Sequence, residues 1–149
     1  YLKNKGLKPA TLVHPSSFVA KNAIVGEACN IMTRATICVR VKLGRSVIVN
    51  SGSIIDHETT VDDGVHVSAG VNIGAVCGIG TCSFVGIGAT IMSHVTMGKN
   101  VFVGAGAVVL GDVPDDAVVF GSPAKVQYYR DKNGNRIDIP APEKLIKKS

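Results

Sequence analysis

The groups able to move a proton near neutral pH are few in this 149-residue chain: four histidines and four cysteines. One histidine lies between two carboxylates, in Asp56-His57-Glu58. An imidazole serves as a general base when a neighbouring acceptor holds its second ring nitrogen, so the tripeptide has the composition of an oriented base. A solvated turn histidine has the same local sequence, and spacing alone leaves both readings open. His66 follows nine residues later; His14 precedes Pro15 and reads as a cap. His94 stands eighteen residues before Asp112 and reads as half of a structural pair. Cys29, Cys38, Cys77 and Cys82 form no CxxC pair, which favours reduced thiols over a disulfide framework or zinc site.

The elements that must position these groups follow from one repeat. From Val13 to Val109, every sixth residue is aliphatic, seventeen in succession. At this composition the chance of that in any register is on the order of one in a hundred thousand. The fourth residue after each, from Ser17 through Ala23 and Cys29 to Val113, is small or β-branched, and none of the thirty-four positions is charged. Side chains alternate along a strand, so the small residue and the aliphatic two places later face one side together. The intervening pairs, such as Ser51-Gly52, His57-Glu58, Asp63-Gly64 and Lys99-Asn100, are turn-formers. Strands this short cannot form hairpins; they wind into a solenoid whose coils stack about 4.8 Å apart. One long helix is excluded, because a period of six does not match 3.6 and glycine is too frequent. All four histidines fall on outward or turning positions, whereas Cys29 and Cys77 point inward as small core residues.

This pattern resembles the hexapeptide-repeat acyltransferases, over residues 13–114 without insertion, ending in Val119-Phe-Gly-Ser-Pro-Ala-Lys125. The resemblance implies an all-β fold, a left-handed parallel β-helix of about 5.7 coils of 18 residues, with a short C-terminal extension. More narrowly, Asn50-x6-His57-Glu58-x7-His66 resembles the sialic acid O-acetyltransferases and bacillosamine-type N-acetyltransferases. On that resemblance His57 is the catalytic base, Glu58 raises its basicity, and His66 contacts acetyl-CoA. It also implies acetyl-CoA contacts at Ala75, Ile87, Thr96 and Ala105, and substrate contacts at Asn50 and Asp56. Lys125 is a weak candidate for a CoA phosphate, and Asn50 has an equal reading as a turn cap. Stacking by eighteen places Arg40 below Glu58, as a competitor for its carboxylate, and Ala75 above His57. Glycines in Gly86-Ile87-Gly88 and Gly104-Ala105-Gly106 leave amides open to a pantetheine chain or simply serve the turns.

The function implied is acetyl-CoA-dependent transfer to the amino group of a 4-amino sugar nucleotide, in the cytoplasm and in surface-polysaccharide synthesis. The alternative is O-acetylation of sialic acid or another sugar hydroxyl. His57 and His66 lie half a coil apart, so one acetyl-CoA reaches both only between subunits, and the resembling enzymes are homotrimers. A metal enzyme of the γ-carbonic anhydrase type needs a close His pair, whereas the spacings here are 43, 9 and 28 residues, so no metal is expected. A non-catalytic solenoid is the other distant reading.

Residues 1–12 are expected to be a helix end and linker, the remnant of an N-terminal nucleotide-sugar-binding domain. Residues 115–149 are expected to form an exit loop, a hairpin turning at Asn133-Gly134, and a helical or loose tail over 140–149. The net charge of +5 comes from lysines at the two ends, with six basic and six acidic residues balanced over 13–114. That distribution argues against nucleic-acid binding, and no apolar run is long enough to span a membrane.

Overall fold

The computed structural model describes residues 5–139. Seventeen two-residue strands, β1 to β17, recur every six residues from Leu12–Val13 to Val108–Val109. β1 to β14 each pair in parallel with the strand eighteen residues on, as in Val67↔Val85 and Ile73↔Ile91. Three flat sheets result, forming the walls of a left-handed parallel β-helix of about six coils. The inward aliphatics of the repeat fill its axis: Val49, Ile55, Val61, Val67 and Val85 are fully buried. The first coil is open at its lower end, where Val13 is half exposed.

The corners explain the six-residue period. From Ala28 to Gly106, every sixth residue sits in the left-handed region, with φ between 54° and 70°. Nine of these fourteen positions are not glycine, including Arg40, Glu58, Val76 and His94. The bend is therefore imposed by stacking on the neighbouring coils, since an L residue does not favour it alone. Buried hydroxyls stitch the coils together. Thr59 Oγ1 donates to the Gly74 carbonyl at 2.9 Å and accepts the Cys77 amide at 3.0 Å. Ser83 does the same between Gly98 and Val101, so neither buried hydroxyl lacks a partner.

All seventeen steps of the repeat form strands, but the closing coil is shorter than the eighteen-residue pattern. Met97 bridges to Val113 and Phe102 pairs with Val118, both sixteen residues apart, so the last coil is two residues short. Asp112 consequently registers with the Thr96 amide, which donates to its Oδ1 at 2.7 Å, and the expected His94–Asp112 pair does not form. Beyond the solenoid, β18 (Ala117–Gly121), β19 (Ala124–Arg130) and β20 (Arg136–Asp138) extend the first sheet as an antiparallel meander. The expected hairpin spans β19 and β20, its turn closed by Asp131 Oδ1 accepting the Asn133 and Asn135 amides at 2.8 Å. Of the expected helix end and linker, residues 5–12 are described: Lys5 is 3₁₀-helical, Gly6 turns the chain at φ 71°, and residues 7–11 carry no helix or strand. The tail over 140–149 lies outside the described residues.

Candidate active site

The corner between β8 (Ile54–Ile55) and β9 (Thr60–Val61) carries the histidine–carboxylate tripeptide. Asp56 Oδ1 accepts the His57 amide at 2.7 Å, which closes the turn locally. The Glu58 amide donates to the Val39 carbonyl below at 3.1 Å, and the His57 carbonyl accepts the Val76 amide above at 2.9 Å. The corner is thus clamped from both sides while the His57 side chain remains 43% exposed.

Glu58 divides its carboxylate between two partners. Oε1 accepts Arg40 Nε at 3.1 Å, and Oε2 faces His57 Nδ1 at 3.2 Å. Arg40 and then His57 hold the Glu58 carboxyl below its usual range, so it is ionised at neutral pH. An ionised carboxylate only accepts, so the proton of a neutral His57 resides on Nδ1 and Nε2 presents a lone pair outward. The competition expected from Arg40 is instead a sharing, because each partner takes its own oxygen.

A second cluster lies on the sheet opposite this corner. His66, on β10 (His66–Val67), meets the Phe84 ring edge-on with centroids 5.1 Å apart. Phe84 stacks on Phe102 at 5.0 Å, and the Arg130 guanidinium caps Phe102 at 5.7 Å. His66 Nε2 is buried with no hydrogen-bond partner among the described residues. At the adjoining corner the amides of Ala69, Ile87 and Ala105 make no hydrogen bond among the described residues. At some other corners the equivalent amide is capped, Ala75 by Ser93 Oγ, Arg45 by Asp63 and Lys99 by Asp115, while those of Val39, Asp63 and Thr81 are open like these three. The glycines here serve the turn itself. Gly88 has φ 67°, and a Cβ on Gly86 would meet the Ala105 nitrogen at 2.7 Å. Here glycine makes the bend, and the residue between the glycines has an N–H with no hydrogen bond among the described residues.

The candidates fall into two groups on one chain. Asp56, His57, Glu58, Ala75 and Thr96 lie on or beside the first corner; Asn50, His66, Ile87 and Ala105 lie on the opposite sheet or its corner. Asn50 Oδ1 accepts the Ser51 amide at 2.7 Å, so its carbonyl caps a turn while Nδ2 makes no hydrogen bond among the described residues. Lys125 lies on β19. Cys29 and Cys77 are buried, donate to the Gly44 and Met92 carbonyls, and have their pKa raised chiefly by burial, as small core residues would. Among the described residues, no three of His, Cys, Asp and Glu are arranged to hold a metal ion. No described helix is long and apolar enough to cross a membrane. A concavity of about 320 Å³ lined by Pro9, Glu27, Arg45, Asp63 and Cys82 sits on the third corner, away from both histidines. The reactive groups are on open walls.

One feature escaped the repeat pattern: residues 64–98, almost two coils, contain no Asp, Glu, Lys or Arg. A running charge count along the sequence would have found it.

No protein-family model matches the chain. It is 46% identical over 54 residues to a serine acetyltransferase of Synechococcus elongatus, covering 36% of this chain and 21% of that one. It is 52% identical over 42 residues to a 2,3,4,5-tetrahydropyridine-2,6-dicarboxylate N-acetyltransferase of Staphylococcus aureus, covering 28% and 18%. The chain thus spans about a fifth of the length of these relatives. Among solved structures, it resembles the acetyltransferase domain of PglB from Neisseria gonorrhoeae, with TM-score 0.82, 36% identity, and 83% of this chain and 60% of that one covered. That domain is also known in complex with acetyl coenzyme A. A mutant perosamine N-acetyltransferase from Caulobacter crescentus, in complex with CoA and GDP-perosamine, gives TM-score 0.82 at 29% identity, covering 83% and 59%.

Proposed function

We propose that this chain forms the catalytic solenoid of an acetyl-CoA-dependent N-acetyltransferase acting on an amino sugar carried by a nucleotide. The observation that carries the reading is the ionised Glu58 holding His57 Nδ1 at 3.2 Å on an outward corner. His57 Nε2 accepts a proton from the acceptor amine as its nitrogen attacks the thioester carbonyl. Glu58 stabilises the resulting imidazolium. The tetrahedral oxyanion is held by an amide N–H or by His66. The attack forms the C–N bond; collapse of the intermediate breaks the C–S bond, and the His57 imidazolium gives its proton to the departing CoA thiolate.

His66 and the open amides of Ile87 and Ala105 receive the pantetheine chain, with Ala75 and Thr96 beside the thioester and Asn50 and Asp56 toward the acceptor. Because these groups occupy opposite sides of one prism, the site needs two subunits, and a closed homotrimer supplies three such sites. Exposed Val39, Ile54, Val76, Met92 and Leu110 on the His57 side, beside coils free of charge, suit such burial. Lys21, Arg34 and Lys42 on the lower coils have no ion-pair partner among the described residues, which suits a phosphate-bearing acceptor. The same chemistry needs no metal, no nucleic acid and no membrane, and its substrates place it in the cytoplasm. Residues 1–12 are proposed to connect to a nucleotide-sugar-binding domain.

Release of CoA thiol, with acetyl-CoA and a panel of acceptors, tests the reading. Nucleotide-linked amino sugars are expected to support turnover, above free amino sugars, serine, sialic acid and galactosides. Faster turnover with a hydroxyl acceptor would move the assignment to O-acetylation. Acetyl-CoA that neither binds nor turns over would leave a structural solenoid.

A further inference from the structure

We infer that Arg40 is a positioning residue of the base: it anchors Glu58 so that the free carboxylate oxygen faces His57, and its charge opposes over-stabilisation of the imidazolium. The inference rests on the proposed role of His57, and it starts from register. Arg40 and Glu58 hold the same corner position one coil apart, with φ 57° and 59°, so their side chains leave parallel stretches of backbone. Asn22, one coil lower, accepts the Arg40 amide on Oδ1 at 3.3 Å and fixes the backbone from which the guanidinium extends.

Glu58 needs such an anchor. It is adjacent in sequence to His57, its side chain is about as exposed as the histidine's, and it has three rotatable bonds. A carboxylate so placed loses rotamer freedom to hold one geometry, and water competes for it. Occupying Oε1 at 3.1 Å leaves Oε2 as the oxygen turned to Nδ1. Nothing draws the carboxylate the other way, because Val76 stands above it.

The charge matters separately. A carboxylate alone beside an imidazole stabilises the protonated ring, and a base that rests protonated is unavailable. Arg40 places a positive charge on the far side of the same carboxylate. Within one subunit the other groups around His57 are few. Asp56 on its own corner is turned to the His57 amide; Cys38 and Lys42 flank Arg40 below, and Lys21 lies two coils down. From above, Ala75 and Val76 carry no charge, and His94 is two coils up. Arg40 is therefore the cation coupled to His57 through a direct contact chain.

The test reads His57 itself as well as turnover. In 15N-labelled protein the imidazole titrations of His14, His57, His66 and His94 are followed for the native chain, Arg40→Met and Arg40→Lys. Arg40→Met is expected to raise the His57 midpoint by about half a pH unit, leaving the other three in place. Arg40→Lys is expected to return the midpoint toward the native value, since it restores the charge. On the alkaline plateau, Arg40→Met is expected to lower kcat about 3- to 10-fold with KM for acetyl-CoA unchanged. In a Glu58→Gln background it should have little further effect on kcat, because it acts through the carboxylate. A His57 midpoint that stays or falls in Arg40→Met overturns the inference, as does an undiminished kcat loss in the Glu58→Gln background. The titration needs no turnover, so failure of the enzymatic reading and failure of the Arg40 role are separate results.

Discussion

His57 is the residue on which the proposed chemistry depends, and its surroundings say how it fails. Its side chain projects from a corner clamped through backbone, so removing the ring leaves that clamp in place. His57→Ala is expected to lower kcat by about 10²- to 10⁴-fold with an unchanged circular dichroism spectrum, the range for a lost general base. Retention of more than half the activity would take His57 out of the mechanism. Glu58→Ala should be milder, because the carboxylate orients and tunes without touching the acceptor; a larger loss there would reverse the roles. The pH dependence has a definite sign. Glu58 is held below the usual carboxylate range, so its bonds persist through neutral pH and are lost as pH falls through that lowered value. An acid limb of activity above that value therefore does not belong to Glu58.

At the scale of the element, the corner and the strand obey different physics. The corner tolerates charge, histidine and valine because stacking imposes the left-handed bend, but a β-branched residue is strained there. Val76, at φ 58° above Glu58, is the clearest instance. Val76→Gly is expected to raise stability by about 1 kcal/mol, a rise in Tm of about 3 °C by calorimetry. An unchanged or lower Tm would mean that the valine contacts outweigh the strain. The strand instead tolerates nothing polar inward. Ile73 is 2% exposed, and its neighbour Asn72 faces out. Ile73→Asp places an unpaired carboxylate on the solenoid axis, which costs several kcal/mol and is expected to abolish the folded signal. Asn72→Asp on the same strand is expected to melt within about 2 °C of the native chain. A folded Ile73→Asp protein would contradict the observed register.

For the whole molecule, the arrangement of charge is uneven. Residues 5–46 hold seven basic side chains and one acid, Glu27; the following stretch to residue 63 adds four acids, and residues 64–98 add none. An outer wall without charge is poorly solvated, which favours its burial between copies. In the proposed trimer His57 of one subunit meets His66 of the next. Mixing equal amounts of His57→Ala and His66→Ala subunits after unfolding, then refolding, tests this directly. Each site draws one histidine from each of two subunits, so about a quarter of sites regain both. Activity is expected to exceed that of either parent. A trimeric mixture no more active than the mean of its parents would place both histidines on one subunit.

The sequence by itself determined the solenoid, the inward face of every strand, the turning position of His57 and the separation of His57 from His66. These follow from a local, six-residue alternation that each strand and corner repeats, and register then propagates by eighteen. What tertiary structure decided was how side chains a coil apart are used. Arg40 and Glu58 could have excluded His57, yet the carboxylate serves both partners. His94 and Asp112 keep the spacing of a stacked pair but do not form one, because the last coil closes two residues early and hands Asp112 to Thr96. Asn50 and Asp56 turn an oxygen to their own corners rather than wholly outward. Such outcomes depend on rotamers and on where the ladder ends, and no periodicity along the chain encodes either.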